Sequence, residues 1–289
     1  YLACEAALVV RDHVGYAVAA AVAGGAALEV VVPSSSGLGG GAFFLLHRNK
    51  DGFQTMIDAR ETAPGAAHKD MYLDEAGEVN RDLAVNGPLA AGIPGSPAGL
   101  VHLAENYGRL SLEKSLEPAI RLAENGFPVD EKYHALMNFR RDVMLRWPAA
   151  SKVFLHNNEV PEIGATIVNP DMAKTLKLLA EKGHDGFYRS EFSRHLADGV
   201  KAAGGIWSAD DLAGYQVKER KPITIDYQGY HLVTAPPPSS GGVALAEILN
   251  ILDAYPMAEL NRVQRVHLTV EAMRRAYRDR GIYLGDPDY

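Results

Sequence analysis

Two hydrophobic periods alternate along this chain, and the places where one gives way to the other mark the predicted elements. Residues 5–26 are apolar at most positions and read as one alanine-rich helix with a break at Gly15. Residues 28–32 carry three consecutive valines and predict a strand. A glycine loop at 33–41 leads into a second strand over 42–48. Asn49-Lys50-Asp51-Gly52 then has turn chemistry, and 53–58 alternates well enough to pair back as a hairpin. Residues 87–99 are punctuated by proline and glycine, and Ser96-Pro97 predicts an N-cap with proline in the first helical turn. Helical periodicity predicts helices at 97–106, 111–124 and 130–145, before a turn at His156-Asn157-Asn158-Glu159. Helices over 170–182 and 190–203 follow, with Leu176, Leu179, Leu196 and Val200 facing inward. Residues 223–227 and 230–234 alternate across Gln228-Gly229 as a second hairpin. Beyond Pro236 to Gly242 a helix is predicted over about 243–254. Val263, Val266, Val270, Met273 and Tyr277 then step by three and four, which defines a final long helix.

No repeat, low-complexity run or linker divides the sequence. Residues 1–289 read as a single domain of the α+β class, with two strand clusters separated by a helical middle. An apolar fraction of 47% with 22% charged residues is that of an ordinary globular chain. A net charge of -7, with no basic stripe interleaved with aromatics, argues against a nucleic-acid partner. The alanine and glycine run at 17–27 lies between Arg11-Asp12 and Glu29 and is too short and too mildly apolar to span a bilayer. A buried, tightly packed helix is expected there instead. No charged n-region or cleavage site of a signal peptide is read, so any targeting segment is expected outside these residues.

The single cysteine, Cys4, allows no internal disulfide and no cysteine-based metal cage, and the ten histidines show no ligand spacing. No metal and no cofactor are therefore expected. Gly37-Leu38-Gly39-Gly40-Gly41-Ala42 matches the letters of the dinucleotide pattern, but that pattern needs a helix next, and Phe43-Phe44-Leu45-Leu46 reads as strand. The loop's backbone N–H groups suit close approach to an anion or to another backbone segment. Ser111-Leu112-Glu113-Lys114 matches a serine-nucleophile motif, without its companion motifs downstream, and Ser111 is placed to cap a helix. Pro236 to Gly242 is either an anion site at a helix N-terminus or a strand-to-helix turn capped by serine. Asp286 and Asp288 flank Pro287 in a turn and read as solvated. Arg60, just past a strand end and beside the glycine loop, is a rigid fork suited to a carboxylate; it could equally pair with Glu61 or Asp58. No serine, cysteine or threonine stands out as an activated nucleophile.

Several of these segments resemble the large subunit of the γ-glutamyltranspeptidase family. They are Ser35 to Gly41, Arg60-Glu61-Thr62-Ala63-Pro64, Gly92-Ile93-Pro94-Gly95 with Ala98-Gly99, Leu122 to Val129, Pro236 to Gly242 and Leu284 to Tyr289, in the family's order and spacing. The resemblance implies an N-terminal-nucleophile hydrolase fold, a four-layer αββα sandwich. It implies a self-cleaving precursor whose small subunit opens with the nucleophilic threonine, activated by its own α-amino group. No catalytic residue is then expected in this chain. The implied activity moves the γ-glutamyl group of glutathione or a related compound to water or to an amino acid or peptide acceptor. Arg60 matches the family arginine that grips the donor's α-carboxylate. The implied partner is the small subunit of the same precursor, with no nucleic acid and no membrane, in a periplasmic or secreted setting. A related acylase, acting on glutaryl-cephalosporin or poly-γ-glutamate, and a non-catalytic homologue that only binds are the other readings. The family's G-G-N-A-V-D-A-A appears here as Val14-Gly15-Tyr16-Ala17-Val18-Ala19-Ala20-Ala21, which keeps the packing surface and loses two polar side chains.

Overall fold

The structure is a computed structural model that describes residues 1–14 and 16–289, so the expected break at Gly15 lies outside the described residues. In chain order the elements are α1 (Leu2–Val14), α2 (Ala17–Val31), β1 (Ala42–Arg48), β2 (Phe53–Ala59), α3 (Arg81–Val85), α4 (Ser96–Tyr107), α5 (Leu112–Asn125), β3 (Phe127–Pro128), α6 (Glu131–Met144) and α7 (Pro148–Phe154). They continue with β4 (Thr166–Ile167), α8 (Pro170–Tyr188), α9 (Glu191–Ala202), α10 (Ala209–Gly214), β5 (Lys218–Arg220), β6 (Ile223–Tyr227), β7 (Tyr230–Thr234), α11 (Ser240–Asp253) and α12 (Arg262–Tyr283). The strands form three small sheets, ordered β1-β2-β5, β3-β4 and β6-β7. Contacts divide the chain into two compact units, Tyr1–Ala42 with Ala59–Val217 and Phe43–Asp58 with Lys218–Tyr289.

The first unit is mostly helical. Its opening holds α1 and α2 where a helix with a break was expected, and the predicted strand at 28–32 is instead the last turn of α2 and its cap. Ala19, Val22, Ala23, Ala26 and Val30 are all buried at helical spacing. A valine's helix penalty is a few tenths of a kcal/mol, whereas burying its side chain gains about 1.5–3 kcal/mol, so packing overrides the β-branched preference. The expected burial of the 17–27 run is met, and a Cβ built on Gly24 would lie 3.0 Å from Ala7 Cβ, so α1 and α2 approach through small side chains. α2 packs on α5 and α5 on α8, where Leu116, Ala119, Ala123, Leu176 and Leu179 are fully buried. Ser111, Asp130, Asn169, Ser190 and Ser208 cap their helices with side-chain oxygens. Ser96 does not: Gly95 is the cap residue of α4, because the Ser96 hydroxyl is engaged elsewhere.

In the second unit β2 pairs antiparallel with β5, Met56 opposite Arg220 and Asp58 opposite Lys218. The β6-β7 hairpin forms where it was read, its turn made by Gln228 and Gly229, both at positive φ. α11 packs on β6 and on α12. The serine turn at its N-terminus is a self-contained cap: Ser239 Oγ accepts from Gly241 N–H at 3.4 Å, and Ser240 Oγ accepts from Arg280 Nε at 2.8 Å. Asp288, read above as solvated, is exposed and is also paired with Arg220 and with Lys218 Nζ at 2.7 Å, while Arg220 Nε donates to Asp58 at 2.7 Å. These partners hold the Asp288 carboxyl down at about 2, with the hydrogen bond from Arg220 the main cause. No described helix is long and apolar enough to cross a membrane.

Candidate functional site

Arg60 leaves the end of β2 exposed to solvent, in the first unit, and its backbone is gripped from several sides. Its carbonyl accepts a hydrogen bond from Tyr215 Oη at 2.8 Å. Two residues on, Thr62 and Ile93 exchange backbone hydrogen bonds of 3.3 and 2.8 Å. The residue is therefore exposed on a fixed backbone stem, which suits a recognition arginine.

The glycine loop supports this stem and binds no helix of its own. Gly40 N–H closes a turn on Gly37 O at 2.9 Å, and Gly40 O accepts from the N–H groups of Gly95 and Ser96 at 2.9 and 3.0 Å. A loop carbonyl thus occupies the N-terminus of α4. Of the two uses read for this loop, approach to another backbone is the one observed. With β1 rather than a helix following it, the pyrophosphate geometry of the dinucleotide pattern is absent. A Cβ on Gly41 would fall 2.6 Å from Glu61 Oε2 and 2.8 Å from Ala59 O, so the loop and the residues flanking Arg60 are in direct contact.

Beneath this layer lies a buried acid. Glu29 of α2 accepts from Ser96 Oγ, and its Oε2 is buried with no hydrogen-bond partner among the described residues. Burial raises its pKa from 4.5 to about 7, against a smaller opposing effect of the Ser96 hydrogen bond. The folded value lies above the unfolded one, so the proton stabilises the fold fully below about pH 4.5, and that contribution is lost as the pH rises through about 7. Glu29→Gln is uncharged throughout. Relative to the parent protein it should gain about 2 kcal/mol of stability between pH 5 and pH 8, measured as the difference in thermal midpoint at the two pH values. A constant difference between the variants would contradict this burial.

Other sequence candidates fall away from the site. Ser111 Oγ accepts from Lys114 N–H at 3.3 Å as a helix cap, and Lys114 Nζ lies 3.8 Å from Glu117. No group of three or more histidine, cysteine, aspartate or glutamate side chains among the described residues could hold a metal ion. Sequence reasoning missed Tyr215, Gly95 as a contact point, and Glu29. For Glu29 a signal was present, a lone carboxylate inside an apolar helical run. Tyr215 had none.

The family model described as Gamma-glutamyltranspeptidase matches residues 3–289. A glutathione hydrolase proenzyme of Pseudomonas sp. (strain A14) is 42% identical over 253 residues, covering 85% of this chain and 43% of the relative. The crystal structure of Helicobacter pylori gamma-glutamyltranspeptidase superposes with a TM-score of 0.97 at 38% identity, covering all of this chain and 83% of that one. A cephalosporin acylase from Bacillus halodurans superposes with a TM-score of 0.85 at 30% identity, covering 99% of this chain and 54% of that one. The expected N-terminal-nucleophile hydrolase fold is therefore the fold found. The chain spans less than half the length of the curated glutathione hydrolase it matches. With a family model covering nearly every residue, this chain belongs to the gamma-glutamyltranspeptidase family.

Proposed function

We propose that residues 1–289 form the large-subunit region of a γ-glutamyl transferase and glutathione hydrolase, and that Arg60 holds the α-carboxylate of the γ-glutamyl donor. The observation that carries the reading is the stem of Arg60: an exposed arginine on a backbone fixed by Tyr215 and by the Thr62–Ile93 pair. A fork so held can meet both oxygens of a carboxylate without losing much freedom on binding. The attacking hydroxyl comes from a threonine opening the small subunit, whose α-amino group takes its proton. The γ-glutamyl group passes to that oxygen as the donor's γ-amide C–N bond breaks and the departing amine takes up the proton; water or an acceptor amine then displaces the threonine oxygen, which recovers a proton. The two units interleave in sequence, and the reading treats them as one large-subunit piece. Export to the periplasm or beyond the cell is part of the same proposal and rests on the resemblance; cell fractionation tests it.

The partner surface is supported by α12. Val263, Val266, Val270, Met273 and Tyr277 are each between 41% and 77% exposed, although their spacing is that of a buried stripe. Ala272 and Ala276, on another side of the helix, are the residues it buries. An apolar stripe of this length left in water marks a binding face, and the remaining half of the precursor is the occupant assigned to it. Val266→Asp with Val270→Asp should abolish co-purification of the two halves, whereas Val79→Asp, at an isolated exposed valine, should not. Retention of the complex by the double variant would remove α12 from the interface.

The related acylase supplies the second reading, because its structure shares this fold. Rates on γ-glutamyl and glutaryl anilides separate the two, since both carry the carboxylate and only the first carries the α-amino group. Faster glutaryl turnover by the full-length protein would assign it to the acylases. No turnover of either, with the precursor intact, would assign it to the non-catalytic homologues.

A further inference from the structure

We infer that Tyr215 is a positioning residue for donor binding, set in place by a column of three stacked rings that ends at the backbone of Arg60. The inference rests on the reading of Arg60 as the carboxylate holder. The rings are His184, Tyr188 and Tyr215, with centroids 4.5 Å apart at 17° for the first pair and 5.5 Å apart at 13° for the second. They are brought together by a kink in α8 at Gly183, where φ is 56°, which redirects the last residues of the helix.

Each ring is also tied by hydrogen bonds to a backbone the site needs. His184 Nε2 lies 3.2 Å from Tyr215 O; a carbonyl only accepts, so this nitrogen carries the proton and holds the Tyr215 main chain. Tyr188 is fully buried. Its hydroxyl donates to Pro94 O at 2.8 Å and accepts from Ala98 N–H at 3.2 Å, which fixes the entry to α4. Tyr215 Oη donates to Arg60 O. The position of a Cβ on Gly95 would be 2.2 Å from that same hydroxyl, so the strut reaches Arg60 only across the space glycine leaves. The Tyr215 bond orients the peptide unit that follows Arg60, and with it the direction in which the guanidinium departs. Displacements of an ångström at such a group weaken binding of the group it recognises without altering the attacking nucleophile.

The test uses the full-length, processed protein with two donors. One is a γ-glutamyl anilide; the other is a 4-aminobutanoyl anilide, which keeps the amine and lacks the carboxylate. Tyr215→Phe retains the ring stack and removes only the hydroxyl. It should raise KM for the γ-glutamyl donor about five-fold, the worth of one ordinary hydrogen bond, with kcat within two-fold and the thermal midpoint nearly unchanged. KM for the carboxylate-free donor should not move. In an Arg60→Ala background the same substitution should add no further loss, because the group it positions is gone. If Arg60→Ala fails to discriminate between the donors, the reading of Arg60 is wrong. If Arg60→Ala discriminates while Tyr215→Phe affects neither donor, or both equally, the positioning role of Tyr215 is overturned and the column is a packing feature only.

Discussion

If the proposed function holds, replacing Arg60 by alanine in the full-length protein should reduce kcat/KM for a γ-glutamyl donor about 100-fold. Almost all of that loss should appear as KM. The size follows from the contact: two parallel charge-assisted hydrogen bonds between guanidinium and carboxylate contribute about 3 kcal/mol together, and 1.4 kcal/mol is a factor of ten. The split follows from location. The carboxylate is remote from the carbonyl under attack, so it is bound equally in the ground state and the transition state, and losing uniform binding raises KM while leaving kcat. Arg60→Lys keeps the charge but loses the planar fork and should recover only part of the affinity, leaving KM raised about ten-fold. For the 4-aminobutanoyl donor all three proteins should agree within two-fold. Comparable losses on both donors would mean that the substitution disturbs the loop rather than a carboxylate contact.

How much of this was legible in the sequence depends on where each partner lies. Amphipathic periodicity placed helices over 170–182 and 190–203, which form as Pro170–Tyr188 and Glu191–Ala202, and identified Leu176 and Leu179 as core, because those signals are local. Arg60 was singled out through the order and spacing of the surrounding motifs, and its role as carboxylate holder is the proposal made above. Tyr215 was not, because it meets Arg60 across 155 positions and nothing near it in sequence announces the contact. The misplaced strand at 28–32 and the misassigned cap at Ser96 share one cause. Val30 and Glu29 are buried by α2 packing, and Glu29 claims the Ser96 hydroxyl, so tertiary demands displaced two correct local preferences. The α12 stripe shows the converse limit. Its spacing revealed the helix but not the side it buries, which is that of Ala272 and Ala276.

The glycines divide in a way that the sequence alone conceals, and the division carries the largest expected effect on stability. Gly95→Ala should destabilise the protein by about 3 kcal/mol or more, while Gly39→Ala should be neutral within about 0.5 kcal/mol. A Cβ on Gly39 meets nothing within 4 Å. A Cβ on Gly95 would sit 2.2 Å from Ala59 O and 2.2 Å from Tyr215 Oη, an overlap of about 1 Å on both sides relative to ordinary contact. None of the neighbours can give way cheaply. The Ala59 carbonyl ends a strand, the Tyr215 ring is stacked on Tyr188, and Gly95 is itself tied through its N–H to Gly40 O. The strain must therefore be relieved by moving the start of α4 or the Arg60 stem, and both support the site. In a chain of this size, 3 kcal/mol corresponds to a fall of about 5 °C in the thermal midpoint. The surviving fraction of Gly95→Ala should also show a raised KM for the γ-glutamyl donor. If Gly39→Ala proves the more damaging of the two, the loop's role is something other than the backbone contact to α4, and the support assigned here to Arg60 is misplaced.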